Sequence, residues 1–270
     1  VLIETPAGRA RPAARGCDTI ARDEPGVEGV SGFDWLVAAV AVLAGAIASV
    51  SGFGIGSLLT PTLALQLDPR LAVAAVSIPH VAGTAIRFWM LRRHTDTGVL
   101  VRFGSMSALG SLAGAVAGAF VRPGALRLLL GVLLIFVAGG ELAGWTRRMR
   151  FDGRSAWLAG AASGLFGGLV GNQGGLRAAA MLGFQLPKAS FVATATAIAL
   201  VVDGARMPVY AWTDGARLAA IAPLIALATS GVVFGTLVGH RVLAAVPERL
   251  FRVVVALLLL ALGFVVLAGA

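Results

Sequence analysis

The chain has 270 residues, is 58% hydrophobic and only 13% charged, and carries 36 glycines and a net charge of +9. Soluble domains carry about a quarter charged residues, so this composition excludes an ordinary water-soluble fold. The basic excess sits in residues 35–270, with 18 basic against seven acidic side chains, mostly in short loops; that pattern fits membrane-loop anchoring rather than nucleic-acid binding.

Residues 1–34 are rich in Ala, Arg, Pro, Gly and acids and lack an apolar run, so they read as a disordered or mis-started tail. Apolar segments then follow at 35–51, 55–67, 71–91, 99–121, 125–145, 156–170, 174–186, 189–211, 217–240 and 250–269. The first two are separated only by Ser51-Gly52-Phe53-Gly54-Ile55-Gly56, and the sixth and seventh only by Gly171-Asn172-Gln173-Gly174-Gly175. Counting each split pair once gives about eight hydrophobic segments in an all-α polytopic membrane protein.

The order of segments repeats. With Pro69 set on Pro187, Gly56 falls on Gly174, Asp96 on Asp214 and Arg87 beside Arg206. Gly110, Gly114 and Gly118 likewise match Gly231, Gly235 and Gly239, and both triplets read as close helix-packing faces. The chain therefore divides into a first transmembrane repeat at 35–145, a basic cytoplasmic linker at 146–155 and a second repeat at 156–270.

A straight helix over 35–67 would be ~48 Å long, well beyond the ~30 Å bilayer core, so the glycines must break it. A re-entrant hairpin plus three crossings per repeat puts the basic clusters Arg92-Arg93, Arg147-Arg148-Arg150-Arg154 and Arg241-Arg249-Arg252 on one side. It leaves Asp68, Arg70, Arg122 and the 203–217 stretch on the other. An odd number of crossings inverts one repeat relative to the other. The expected fold is thus two inverted repeats, each starting with a Gly-broken re-entrant helical hairpin, with six full crossings. A bent full crossing in place of the hairpin is the alternative.

Non-helical backbone at membrane depth is tolerated only where it is buried in protein or lines a polar cavity. Broken half-helices aim N–H dipoles inward, which suits an anion. Candidate substrate-binding residues are therefore Ser51, Gly52, Gly54, Gly56 and Ser57 in the first break and Gly171, Asn172, Gln173, Gly174 and Gly175 in the second. A packing turn without a ligand is the bland alternative. Ionisable groups inside spans default to functional candidates. Arg87 and Arg206 occupy nearly equivalent places and are candidate anion contacts, with snorkelling to headgroups as the competing reading. Asp203 and Arg206, three apart, are expected to pair. His80 and Asp203 are candidate proton carriers; His80 alternatively bonds a carbonyl freed by Pro79. Glu141 and Arg177 are expected to be interfacial anchors.

Enzyme signatures such as a P-loop, HExxH or GxSxG are missing, so no enzymatic activity is expected. Cys17 is the single cysteine and the three histidines lie far apart, so no metal or other cofactor is expected.

Gly54-Ile55-Gly56-Ser57 with Pro61 and Ala72-Val73-Ala74-Ala75-Val76-Ser77 are echoed by Gly164-Leu165-Phe166-Gly167-Gly168 through Gly174-Gly175 and Val192-Ala193-Thr194-Ala195-Thr196. On these motifs residues 35–270 resemble the sulfite exporter TauE/SafE family. The resemblance implies a small-anion permease whose relatives are associated with sulfite and other sulfur-containing or organic anions. The expected function is a secondary transporter of a small anion, driven by a proton or membrane gradient, in the lipid bilayer of a bacterial inner membrane. An anion channel and a membrane assembly factor without transport activity are the alternatives. Homo-oligomerisation, substrate and direction stay open.

Overall fold

The structure, a computed structural model, describes residues 31–270 apart from 53, 145–152, 172–173, 175–176, 178–179, 182–183, 244–247 and 270. Nine helices of eight residues or more run through the described part. They are α1 (Gly32–Ser51), α2 (Ile55–Leu63), α3 (Pro69–Leu91), α4 (Ser105–Gly118) and α5 (Pro123–Leu142), then α6 (Gly153–Val170), α7 (Lys188–Ala220), α8 (Ala222–Leu243) and α9 (Glu248–Ala268). A 3-10 turn at Arg92–His94, an α-turn at Thr97–Val99 and a π-turn at Leu100–Gly104 link α3 to α4. Gly174, Arg177, Ala180 and Met181 are also helical.

Among the described residues, six stretches are long and apolar enough to cross a membrane: Gly32–Val50, Pro69–His94, Thr97–Gly118, Pro123–Leu142, Ala189–Ala220 and Ala222–Gly239. Outside them, the C-terminal Val253–Ala268 is a shorter apolar helix. Large apolar side chains such as Leu109, Phe136, Phe234 and Phe264 are exposed, as lipid-facing residues are. Trp35 and Trp89 are exposed near helix ends, where amphipathic rings favour the membrane–water boundary.

Helix signals act locally. Asp68 caps α3, its carboxylate accepting from the N–H groups of Arg70 and Leu71. Pro123 sits at the first position of α5, where a missing N–H costs nothing. The chain leaves α1 at Gly52 and α6 at Gly171, whose φ angles are +80° and +74°. Only glycine adopts that conformation without strain, so both helices stop there.

Four helix pairings organise the rest. α1 runs alongside α8, and α4 alongside α6. These pairs are very close: a Cβ on Gly235 would meet Val42 O at 2.0 Å, and one on Gly164 would meet Ser107 O at 2.0 Å. Gly110, Gly114, Gly231 and Gly239 make the same kind of approach, so the second triplet and two members of the first serve packing, while Gly118 has only an ordinary contact with Leu169. α3 crosses α7 antiparallel, with Arg70 beside Asp214, His80 beside Asp203 and the Asp96 N–H donating to Thr194. α5 and α9 are antiparallel too: Gly131 abuts Leu267, and Arg127 donates to Gly269 O.

One feature differs from the expected hairpin geometry. α1 keeps its helix for 20 residues, about 30 Å, which alone matches a bilayer core. The returning arm α2 has nine residues, about 14 Å. The break thus falls late, because the first backbone-permissive residue after the apolar run is Gly52. Gly54 then turns α2 back against Ile47 of α1, 2.8 Å from where its Cβ would stand.

Candidate functional site

α3 is helical from Pro69 to Leu91, so His80, Thr84 and Arg87 lie on one face at i, i+4 and i+7. α7 places Asp203, Arg206 and Tyr210 on one face in the same way. The two faces meet where the helices cross. His80 Nδ1 is 2.6 Å from Asp203 Oδ2. Arg206 holds the other carboxylate oxygen through two donors, Nε at 3.0 Å and Nη2 at 2.7 Å. Asp203 is fully buried and Arg206 is 2% exposed, so this is an ion pair out of water. Such a pair persists only when its hydrogen bonds are complete.

Each arginine also reaches the end of a broken helix. Arg87 Nη1 donates to Ala48 O in the last turn of α1, and Arg206 Nη1 donates to Gly167 O in the last turn of α6 at 2.6 Å. Those carbonyls also accept from the N–H groups of Gly52 and Gly171, both at 3.0 Å. A cation there completes the helix end and offsets the negative pole of its dipole. The parallel continues one turn back. Arg87 Nη2 donates to Thr84 Oγ1 at 3.0 Å, where Arg206 donates to Asp203. Arg87 and Arg206, Thr84 and Asp203, Ala48 and Gly167, and Gly52 and Gly171 are all 119 residues apart, one more than the 118 that aligning the prolines suggests. The two α3 and α7 N-caps, Asp68 and Pro187, fit the same spacing.

The breaks themselves touch. A Cβ on Gly56 would stand 2.5 Å from Gly171 O, and one on Gly171 would stand 2.8 Å from Thr60 Oγ1. Contacts with the crossing helices are matched as well. Gly52 faces Val192 of α7, and Gly171 faces Val73 of α3. Val73 and Val192 are again 119 apart.

Of the residues expected to form the site, Gly52, Gly54, Gly56, Ser57, Gly171, His80, Arg87, Asp203 and Arg206 are all buried in this region. Gly174 is half-buried. Asn172, Gln173 and Gly175 lie outside the described residues, as does the side chain of Ser51. His80 bonds Asp203 rather than a carbonyl freed by Pro79. Asp203 and Arg206 pair as their three-residue spacing suggests.

Arg177 departs from the expected interfacial anchor. It is 4% exposed and interacts coulombically with Arg87, Asp203 and Arg206. An early position in a short apolar arm looks like a boundary in sequence, but the arm begins inside the protein. Tyr210 joins the site without having stood out in the sequence. Its hydroxyl donates to Gly168 O at 2.6 Å, and its ring lies 5.9 Å from the Arg206 guanidinium. A second polar network lies toward one end of α3. Arg70 there meets Asp214 at 3.1 Å and Ala119 O at 3.3 Å, while Arg217 meets Asp214 at 3.1 Å. It gathers two of the segments assigned from sequence to the less basic side, Arg70 and the 203–217 stretch.

The model of the sulfite exporter TauE/SafE family matches residues 37–266. The chain belongs to the sulfite exporter TauE/SafE family. No curated protein and no solved structure matches it significantly. As a TauE/SafE protein it is a multi-pass membrane protein of a transporter family. The charged crossing and both glycine breaks fall inside the matched region.

Proposed function

We propose that this TauE/SafE protein is a secondary transporter that moves a small anion through a site between the two glycine breaks. The observation that carries the reading is the cluster at the α3–α7 crossing. Among its described residues three arginines, Arg87, Arg177 and Arg206, face one carboxylate, Asp203. A buried excess of positive charge beside broken helices suits an anion. Gly52, Gly54, Gly56, Ser57 and Gly171 supply close-approach backbone, and Ser51, Asn172, Gln173, Gly174 and Gly175 are the remaining proposed contacts for the anion. Arg87 and Arg206 supply positive field. His80 and Asp203, 2.6 Å apart, form a pair able to hold or pass a proton, which suits coupling to a proton gradient.

The finer fold reading is two inverted copies, each opening on a Gly-broken hairpin. The matched hydrogen bonds of Arg87 and Arg206 support duplication, and the antiparallel α3–α7 and α5–α9 pairs support inversion. A bacterial inner membrane is the proposed location.

Flux into proteoliposomes tests the function, using a panel of sulfur oxyanions and carboxylates. The expected result is saturable flux of at least one anion accompanied by proton movement. Arg87→Gln and Arg206→Gln are expected to abolish it while leaving protein in the membrane; full activity in both sinks the charge-based site. Flux proportional to voltage without saturation means a channel. No flux of any anion supports an assembly role.

A further inference from the structure

We propose that Arg177 is the residue that grips the transported anion, and that it does so through its Nε–Nη2 edge. The proposal rests on the transporter reading and assigns its central contact. The starting point is what each buried arginine already holds. Arg206 spends Nε and Nη2 on Asp203 and Nη1 on Gly167 O. Arg87 spends Nη1 on Ala48 O and Nη2 on Thr84, so although its Nε has no partner among the described residues it has no open two-donor edge. Both are committed to closing helix ends. Arg177 makes one long bond, Nη1 to Ala195 O at 3.4 Å, and its Nε and Nη2 have no partner among the described residues.

Nε and Nη2 form one edge of the guanidinium, with two N–H bonds pointing the same way. That edge takes two oxygens of a carboxylate, sulfonate, sulfite or phosphate side by side. Arg206 uses the same edge on one oxygen of Asp203, so a carboxylate oxygen occupies in Arg206 the edge that stays open in Arg177. At 4% exposure, water does not compensate Arg177, and leaving a buried cation unpaired is costly. The cost is understandable where a ligand completes the set.

Charge balance narrows the ligand. Arg87, Arg177 and Arg206 against Asp203 leave two positive charges when His80 is neutral. A small oxyanion with up to two negative charges and two oxygens on one face fits both the edge and the balance. Position agrees too, since Arg177 follows Gly171, the glycine against which Gly56 of the other break packs.

Sulfite is the probe, added to the purified full chain in detergent, with thermal unfolding read against concentration. Wild type is expected to show saturable stabilisation. Arg177→Gln is expected to weaken binding about thirty-fold or more, as loss of one partner of a buried charged contact does. Its anion-free midpoint is expected to equal or exceed that of wild type, because an uncompensated buried cation is gone. Arg177→Lys keeps the charge but not the edge, and is expected to bind weakly. Arg102→Gln, on the exposed surface, is expected to match wild type. Binding within about twofold of wild type by Arg177→Gln overturns the assignment and leaves the transporter reading standing. A lowered anion-free midpoint, or failure to fold, makes Arg177 a structural residue and also overturns it. If wild type binds neither sulfite nor any anion of the flux panel, both readings fall.

Discussion

Both oxygens of Asp203 are taken, one by His80 and one by Arg206, and the residue is fully buried. Removing the charge strands Arg206 in a region that already holds Arg87 and Arg177. Asp203→Asn is therefore expected to destabilise the protein by about 3–5 kcal/mol, the cost of breaking a buried pair on one side. Chemical unfolding of the purified variant measures this, and a change below about 1 kcal/mol contradicts the pairing. Arg177→Gln is predicted to behave in the opposite sense, since Arg177 has no hydrogen-bonded carboxylate among the described residues. The residue scale thus separates arginines that hold the structure from the one that is open. Arg87 and Arg206 stand out in the sequence because charges inside apolar runs are rare. Their work on Ala48 and Gly167 does not, because a carbonyl acceptor leaves no trace in residue identity.

Glycines govern the element scale, and they have different tasks. Gly52 and Gly171 end helices through positive φ. Gly110, Gly114, Gly164, Gly231 and Gly235 let two helix backbones meet. Gly204 faces outward in α7, and a Cβ added to it would meet nothing within 4 Å. Gly235→Ala is expected to cost about 1–3 kcal/mol because the added carbon meets backbone, which cannot step aside. Gly204→Ala is expected to stabilise by about 0.5–1 kcal/mol, the ordinary gain for alanine inside a helix. Unfolding midpoints of the two variants compare them directly, and equal effects contradict the packing. The spacing of the triplets is legible from sequence because small residues four apart mark a helix face. The length of α1 is less so, since a break visible as a glycine cluster does not fix where the helix before it stops. The burial of Arg177 is hidden for a related reason. Distance along a segment tracks depth in the membrane only when the segment starts at the boundary, and this one starts inside the protein.

At the scale of the whole molecule, the proposed duplication makes the pairings α1 with α8 and α6 with α4 counterparts, with α3–α7 and α5–α9 each joining counterpart helices. An arrangement of this kind places equivalent residues about a shared centre, where His80, Asp203 and the three arginines gather. That the chain is helical with several membrane-length spans is readable because apolar runs of that length have few alternatives. The one-residue difference in offset is not, because the match of Pro69 to Pro187 is a match of residue type rather than of role. Pro69 opens α3, whereas Pro187 caps α7.

The central claim is that one buried site is shared by two copies running in opposite directions. Its most direct test replaces Cys17 with Ser and introduces single cysteines at Arg122, before α5, and Arg241, near the end of α8. Each is labelled with an impermeant reagent from either side of sealed vesicles. The account predicts labelling from opposite sides; labelling of both positions from the same side contradicts it.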